Sequence, residues 1–267
     1  MKTFAAINVG SYEQTLKIYT ITKNNGIREV DWIRNRLDLG GTFATGKLSH
    51  EVMDELCAVL RNFVSIMEGY RVDDYRACAT SAIRETAIVL DQIMQRTGVK
   101  LDVLSNSEQR FLDYKSIASR GGFEKIIEKG TLVLDIGGGS IQMSLFDKDK
   151  LSATQNMRLG VLRLQEKMSR LNVRPSENGP LLEELLEAQL SVFRKMYLKD
   201  RVIENIIVVD DYISALILGK LGKVAGSGYL DRDSMASYMN YLHDHTDMEI
   251  VRYFDTPEEN VPLLRIS

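Results

Sequence analysis

With 267 residues, the chain is long enough for two domains of about 100–200 residues, or for one large one. Hydrophobic residues make up 44% and charged residues 27%, which is ordinary for a globular protein and excludes a disordered or low-complexity chain. A net charge of −3 and a pI of about 5.8 exclude a general basic footprint for nucleic acid, so any anion site must be built locally.

In chain order, residues 3–9 (TFAAINV) form an apolar run that meets Gly10 and Ser11. Residues 14–22 (QTLKIYTIT) alternate apolar and polar and are rich in β-branched side chains. This predicts a strand, a tight glycine turn and a second strand, with a third strand near 28–34. The Gly- and Thr-rich stretch 38–49 is expected as a loop, Ser49 as an N-cap, and a helix runs from it to about residue 69. YRACATSA (75–82) reads as a buried strand, IRETAIVLDQIMQRTG as a helix closed by Gly98, and KLDVLS (100–105) as a strand. SEQRFLDYKSIASRGG is then a helix ending in Gly121-Gly122.

The second half starts again in the same way. TLVLDIGGGS is a strand running into a glycine turn, IQMSLFDKDK a strand with a charged turn, and LSATQNMRLG a third strand. Helices are expected at about 160–170 and 178–199, a buried strand at 205–210, and helices at YISALILGKL and DRDSMASYMNYLHDH. The order strand, glycine turn, strand, strand, helices thus occurs twice. This predicts a structural duplication, divided at Gly121-Gly122 into domains 1–121 and 122–267.

Cys57 and Cys78 stand in apolar contexts and read as buried, reduced thiols, which suits a cytoplasmic chain. His243-x-His245 could hold a metal, but no third soft ligand accompanies it, and surface helix positions are the better account. No apolar run reaches about 18 residues, and MKTFAAINVG is too short and too soon polar for a signal peptide, so no membrane partner is expected.

A strand ending in Asp135-Ile-Gly-Gly-Gly-Ser solves a specific problem. Backbone must approach a phosphate closely, and side chains would block it. Successive amides of Gly137, Gly138, Gly139 and Ser140 can converge on an anion as a nest, and Asp135 can hold a divalent cation. A plain glycine-rich hairpin is the alternative, but such hairpins need only one or two glycines. The first turn, INVGSYEQT, sits at the matching place with Asn8 where the second has its Asp.

Four stretches in order, AAINVGSYEQTLKIYTI, ACATSAIRETA, VLSNSEQRFLDY and LVLDIGGGSIQMSLF with MRLGVLRL, resemble the exopolyphosphatase and guanosine pentaphosphate phosphatase family of the actin-like ATPase superfamily. They cover most of residues 4–165, while 166–267 matches only in pattern and is expected to stop early, short of the family's further C-terminal domains. The resemblance implies an α/β fold of two actin-like (ribonuclease H-like) domains, each a mixed sheet with flanking helices, around a central cleft. It implies Mg2+-assisted release of terminal phosphate from polyphosphate or a guanosine pentaphosphate, and it is compatible with a homodimer. By the same resemblance Gly10, Ser11, Tyr12, Arg84, Gly137, Gly138, Gly139 and Ser140 would bind phosphate. Asp135 would bind the metal, Thr80 and Ser81 could donate hydroxyls, and Arg36 could reach the site or remain a solvated turn residue.

The chain departs from the family where acids are expected. Asn8 replaces an Asp, Tyr12 an Asn, Gln142 a Glu, and Gln109 the usual catalytic Glu, with Glu108 just before it. An amide takes no proton from water at neutral pH and binds Mg2+ more weakly than a carboxylate. General-base catalysis is worth roughly 10²–10⁴-fold, so the loss matters. Asp210-Asp211 stand where nucleoside-side glycines would lie, which speaks against ordinary ATP binding, and KVAGSG (223–228) reads as a loop. Two functions remain open: a hydrolase whose base is Glu108 or Glu13, and a silent sensor of polyphosphate or of a guanosine tetra- or pentaphosphate. An interaction scaffold with a vestigial site is a third.

Overall fold

In the computed structural model the alternation of 3–9 and 14–22 yields β1 (Lys2–Val9) and β2 (Glu13–Thr22), which pair antiparallel, and β3 (Gly26–Arg36) follows as an edge strand. The structure describes residues 1–23, 26–86, 89–119, 121–171, 178–210 and 231–266. It falls into two units, Met1–Tyr114 and Lys115–Ser267.

In the first unit β4 (Asp74–Ala79) and β5 (Leu101–Val103) extend the sheet in parallel, giving the order β3-β2-β1-β4-β5. One face carries Ala5, Ile7, Leu16, Ile18, Ala77 and Ala79, all buried. Between the strands come α1 (Thr42–Thr45), α2 (His50–Gly69), α3 (Ser81–Arg84) and α4 (Leu90–Thr97). Helix α2 presents Met53, Leu56, Leu60, Phe63 and Met67 to the same core at helical spacing. Ser49 caps α2 by accepting from the Val52 amide at 3.2 Å, and Gly98, at φ 72°, closes α4. Helix α5 (Asn106–Ser119) follows, and the division between units falls within it.

Four expectations are corrected. The loop at 38–49 contains α1, and Leu39 and Thr42 there are buried. The strand expected over 75–82 stops at Ala79, because its ladder partner ends: Ala79 pairs with Val9, the last residue of β1. The Thr80 amide still reaches the Val9 carbonyl at 3.2 Å, and the chain then turns into α3. The single helix expected up to Gly98 is therefore two. The Thr86 hydroxyl donates to the Ala82 and Ile83 carbonyls at 3.1 and 2.8 Å, satisfying carbonyls at the end of α3. Both cysteines are free thiols, but only Cys57 is buried; Cys78 is half-buried.

The second unit repeats the topology. Strands β6 (Thr131–Ile136), β7 (Ile141–Asp147), β8 (Lys150–Met157) and β9 (Asn205–Asp210) lie in the order β8-β7-β6-β9, with β6 and β9 parallel. Helices α6 (Phe123–Ile127), α7 (Val161–Leu171) and α8 (Asn178–Phe193) flank it, and α8 continues as a π-helical turn, Arg194–Leu198. Met143, Leu145, Met157 and Phe193 form a buried cluster. Helix α9 (Arg232–Asp244) matches expectation, and exposed His243 pairs with Asp244 at its end. Helices α10 (Asp247–Phe254) and α11 (Val261–Ile266) were not expected. The helix expected at YISALILGKL, the 223–228 loop and Asp211 lie outside the described residues. Among the described residues no helix is long and apolar enough to cross a membrane.

Candidate functional site

The two glycine turns are closed by the same bond. The Gly10 amide donates to the Glu13 carbonyl at 3.0 Å, and the Gly137 amide to the Ser140 carbonyl at 3.0 Å. The last strand pairs before them are Val9 with Gln14 and Ile136 with Ile141. One step further back, Asn8 pairs with Thr15 and Asp135 with Gln142. Asn8 therefore holds in the first unit the place that Asp135 holds in the second. None of the turn glycines has a positive φ, so their need is space rather than handedness. A Cβ on Gly10 would stand 2.9 Å from the Glu13 carbonyl oxygen.

In the second turn the carbonyls of Gly137 and Gly138 accept from the amides at the start of α7. Val161 reaches Gly137 at 3.0 Å, and Leu162 and Arg163 reach Gly138 at 3.0 and 3.2 Å. The buried amides of Gly138, Gly139 and Ser140 have no protein partner among the described residues. Buried amides are normally paired, so three consecutive ones without a partner make a nest suited to an anion. Gly160, which sequence reasoning passed over, makes this packing fit: a Cβ there would lie 2.3 Å from the Ser140 nitrogen and 2.4 Å from the Gly138 carbonyl.

Beside this turn, the Gln142 Nε2 donates to the Asp135 Oδ2 at 3.1 Å. Gln142 is buried, and its Oε1 has no hydrogen-bond partner among the described residues. No group of three or more His, Cys, Asp or Glu side chains that could hold a metal exists among the described residues.

The first turn is tied to α3. Ser11 and Ser81 share a buried hydroxyl–hydroxyl bond of 2.9 Å, while the Thr80 side chain makes no cap bond. The Arg36 guanidinium lies over the ring of buried Tyr12, 4.6 Å from its centre. Glu13 is gripped by Arg34, through Nη2 at 2.7 Å and Nε at 3.0 and 3.2 Å. Gln14, also unnoticed in the sequence, is fully buried and donates Nε2 to the carbonyls of Gly10 and Leu37 at 3.3 and 3.2 Å.

Arg84, on α3, donates to the Leu104 carbonyl. Its withdrawal from water pushes the guanidinium pKa down, against a smaller opposing effect of Glu85. Such a cation gains from an anion nearby. Glu108 is engaged otherwise. Its Oε2 accepts from the Ser105 amide and hydroxyl, both at 2.8 Å, while the Ser105 Oγ accepts from the Glu108 amide at 3.2 Å. This is a capping box at the start of α5. The Ser105 amide first, then its hydroxyl, hold the Glu108 carboxyl below its ordinary pKa, which weakens it as a base. Gln109 follows on α5 with its amide on the Ser105 carbonyl at 3.0 Å.

The expected residues thus gather in two groups: Gly10, Ser11, Tyr12, Glu13 and Ser81 in the first unit, and Asp135, Gly137–Ser140 and Gln142 in the second. Exopolyphosphatase 1 of Mycobacterium leprae is 27% identical over 154 residues, which are 56% of this chain and 44% of that protein. A guanosine-5'-triphosphate,3'-diphosphate pyrophosphatase of Photobacterium profundum is 25% identical over 182 residues, 66% of this chain and 35% of that one. The matches therefore span less than half of these curated relatives. The crystal structure of an exopolyphosphatase from Cytophaga hutchinsonii superposes with a TM-score of 0.84 at 18% identity, covering 99% of this chain and 87% of its own, and so shows the shared actin-like fold. Residues 23–215 match the Ppx/GppA phosphatase family, and the chain belongs to that family.

Proposed function

We propose that the protein hydrolyses a terminal phosphoanhydride, releasing phosphate from polyphosphate or from guanosine pentaphosphate. The observation that carries this reading is the run of three amides in buried residues, Gly138 to Ser140, without a protein partner among the described residues, at the end of a strand bearing Asp135. Fixed amides aimed at an anion stabilise the charge that develops on a transferring phosphoryl group. Within the first unit, Arg84 is a partly desolvated cation on α3, and Ser11 and Ser81 place hydroxyls at that unit's own turn. Mg2+ would be held at Asp135 as a single-carboxylate site, with the Gln142 Oε1, which has no hydrogen-bond partner among the described residues, as a further oxygen donor. When bound, it would neutralise phosphate charge. Phosphoryl transfer through a loose transition state asks more for positioning than for a strong base, so Gln109 in place of a Glu is compatible with turnover.

A second reading, a sensor that binds without turnover, is favoured by one pair of contacts. Glu13 is engaged by Arg34 and Glu108 by Ser105, so both candidate bases have other partners. Phosphate release from long-chain polyphosphate and from guanosine pentaphosphate separates the two, with Mg2+ present and with wild type, Asp135→Ala and Gln109→Glu compared. Release by wild type, abolished in Asp135→Ala, is expected. Binding without release, with activity gained in Gln109→Glu, would establish the sensor. Neither binding nor release would sink both readings.

A further inference from the structure

A peptide plane has two ends. In a trans peptide the carbonyl of one residue and the amide of the next point in opposite directions, so fixing one aims the other. The Gly137 carbonyl shares its plane with the Gly138 amide, Gly138 with Gly139, and Gly139 with Ser140. All three carbonyls are held from behind. Backbone amides of α7 hold the first two, at 3.0–3.2 Å. The third, on Gly139, is held by a side chain, the Arg163 Nε at 3.0 Å.

The first unit holds its own turn in the same way with different parts. The Ser11 and Tyr12 carbonyls accept from the Leu39 and Leu37 amides at 2.8 and 3.2 Å. The Gly10 carbonyl accepts from a side chain, the buried Gln14 Nε2 at 3.3 Å. In each unit two planes are set by backbone and one by a side-chain N–H. One of these side chains is charged and the other is neutral, which separates the hydrogen bond from the charge.

We propose that Arg163 is a positioning residue of the phosphate turn, and that it acts through the Nε–H that aims the Ser140 amide rather than through its positive charge. The inference rests on the phosphate reading of this turn. Glutamine and lysine divide the two roles. Along the side chain, the Gln Nε2 follows Cδ as the Arg Nε does, so Arg163→Gln keeps the donor and removes the charge. Lysine has a methylene at that place and carries its nitrogen one atom further, so Arg163→Lys keeps the charge and moves the donor.

The test is calorimetric titration of the full chain with tripolyphosphate and Mg2+, alongside the amide resonance of Ser140 in the ligand-free protein. Arg163→Gln is expected to bind within about threefold of wild type with the Ser140 signal in place. Arg163→Lys is expected to lose about tenfold in affinity, the usual worth of one hydrogen bond, with the Ser140 signal displaced. Affinity kept in Arg163→Lys and lost in Arg163→Gln would overturn the proposal and make Arg163 a direct charge contact. Affinity unchanged in both would overturn it too. No binding by wild type would remove the phosphate reading itself, and this inference with it.

Discussion

Gly160 and Gly130 are matched probes at the scale of single residues. A Cβ on Gly130 would lie 2.1 Å from the Val202 carbonyl oxygen, and one on Gly160 2.3 Å from the Ser140 nitrogen. Both obstacles are backbone, which must move to make room. Gly130→Ala and Gly160→Ala should each destabilise by about 1–3 kcal/mol in urea unfolding. Only Gly160→Ala should also weaken tripolyphosphate binding by the folded protein, because only it pushes on the turn. Equal loss of affinity in both would show that Gly160 has no special link to the turn. Neither glycine stood out in the sequence, since the atoms that exclude a side chain lie about twenty or more residues away along the chain. The turn glycines were legible because they are consecutive and follow an Asp. The sequence pointed to Arg84 as a phosphate contact, but not to its bond to the Leu104 carbonyl, which the β4–β5 pairing brings near.

Among the elements, α5 shows how one pattern can carry two meanings. Ser105-Asn-Ser-Glu108 is a capping-box spacing, and the same residues fall where the family resemblance expects a catalytic segment. The structure gives the Glu108 carboxylate to the cap. Glu249 does the same at α10 with Thr246, and the Asp231 carboxylate caps α9 by accepting from the Ser234 amide at 2.8 Å. The hydrogen bonds of these caps depress all three acids. A carboxyl with a lower pKa in the folded state stabilises the fold above its unfolded value, and that contribution fades as pH falls through the folded pKa. Urea midpoints measured downward from neutral pH should therefore fall below the ordinary carboxylate range. Glu108→Gln should make that acid slope shallower; an unchanged slope would mean the Glu108 cap does not persist in solution. The early end of β4 was hidden for a related reason. ACATSA has strand propensity throughout, but a strand lasts only as long as its neighbour, and β1 ends at Val9.

For the whole molecule, the duplication was the most legible feature, because alternation and glycine turns recur and each unit answers to the same register. The helices were less so, as α3, α10 and α11 are short and depend on contacts across the chain. The single tryptophan, Trp32, lies on β3 in the first unit, so its fluorescence follows that unit. Leu60→Ala, which opens the fully buried centre of the α2 face, should lower the stability reported by Trp32 by about 2–5 kcal/mol. A fluorescence transition that stays in place would show that this core does not hold the sheet. The pinned carbonyls of the second turn have a consequence for motion. Three glycines in a row would by composition be a pliable segment, with much conformational entropy to lose on meeting a ligand. Held at every carbonyl from behind, Gly137–Ser140 loses that freedom during folding instead. Rigidity, rather than flexibility, is then what this glycine-rich stretch contributes to affinity.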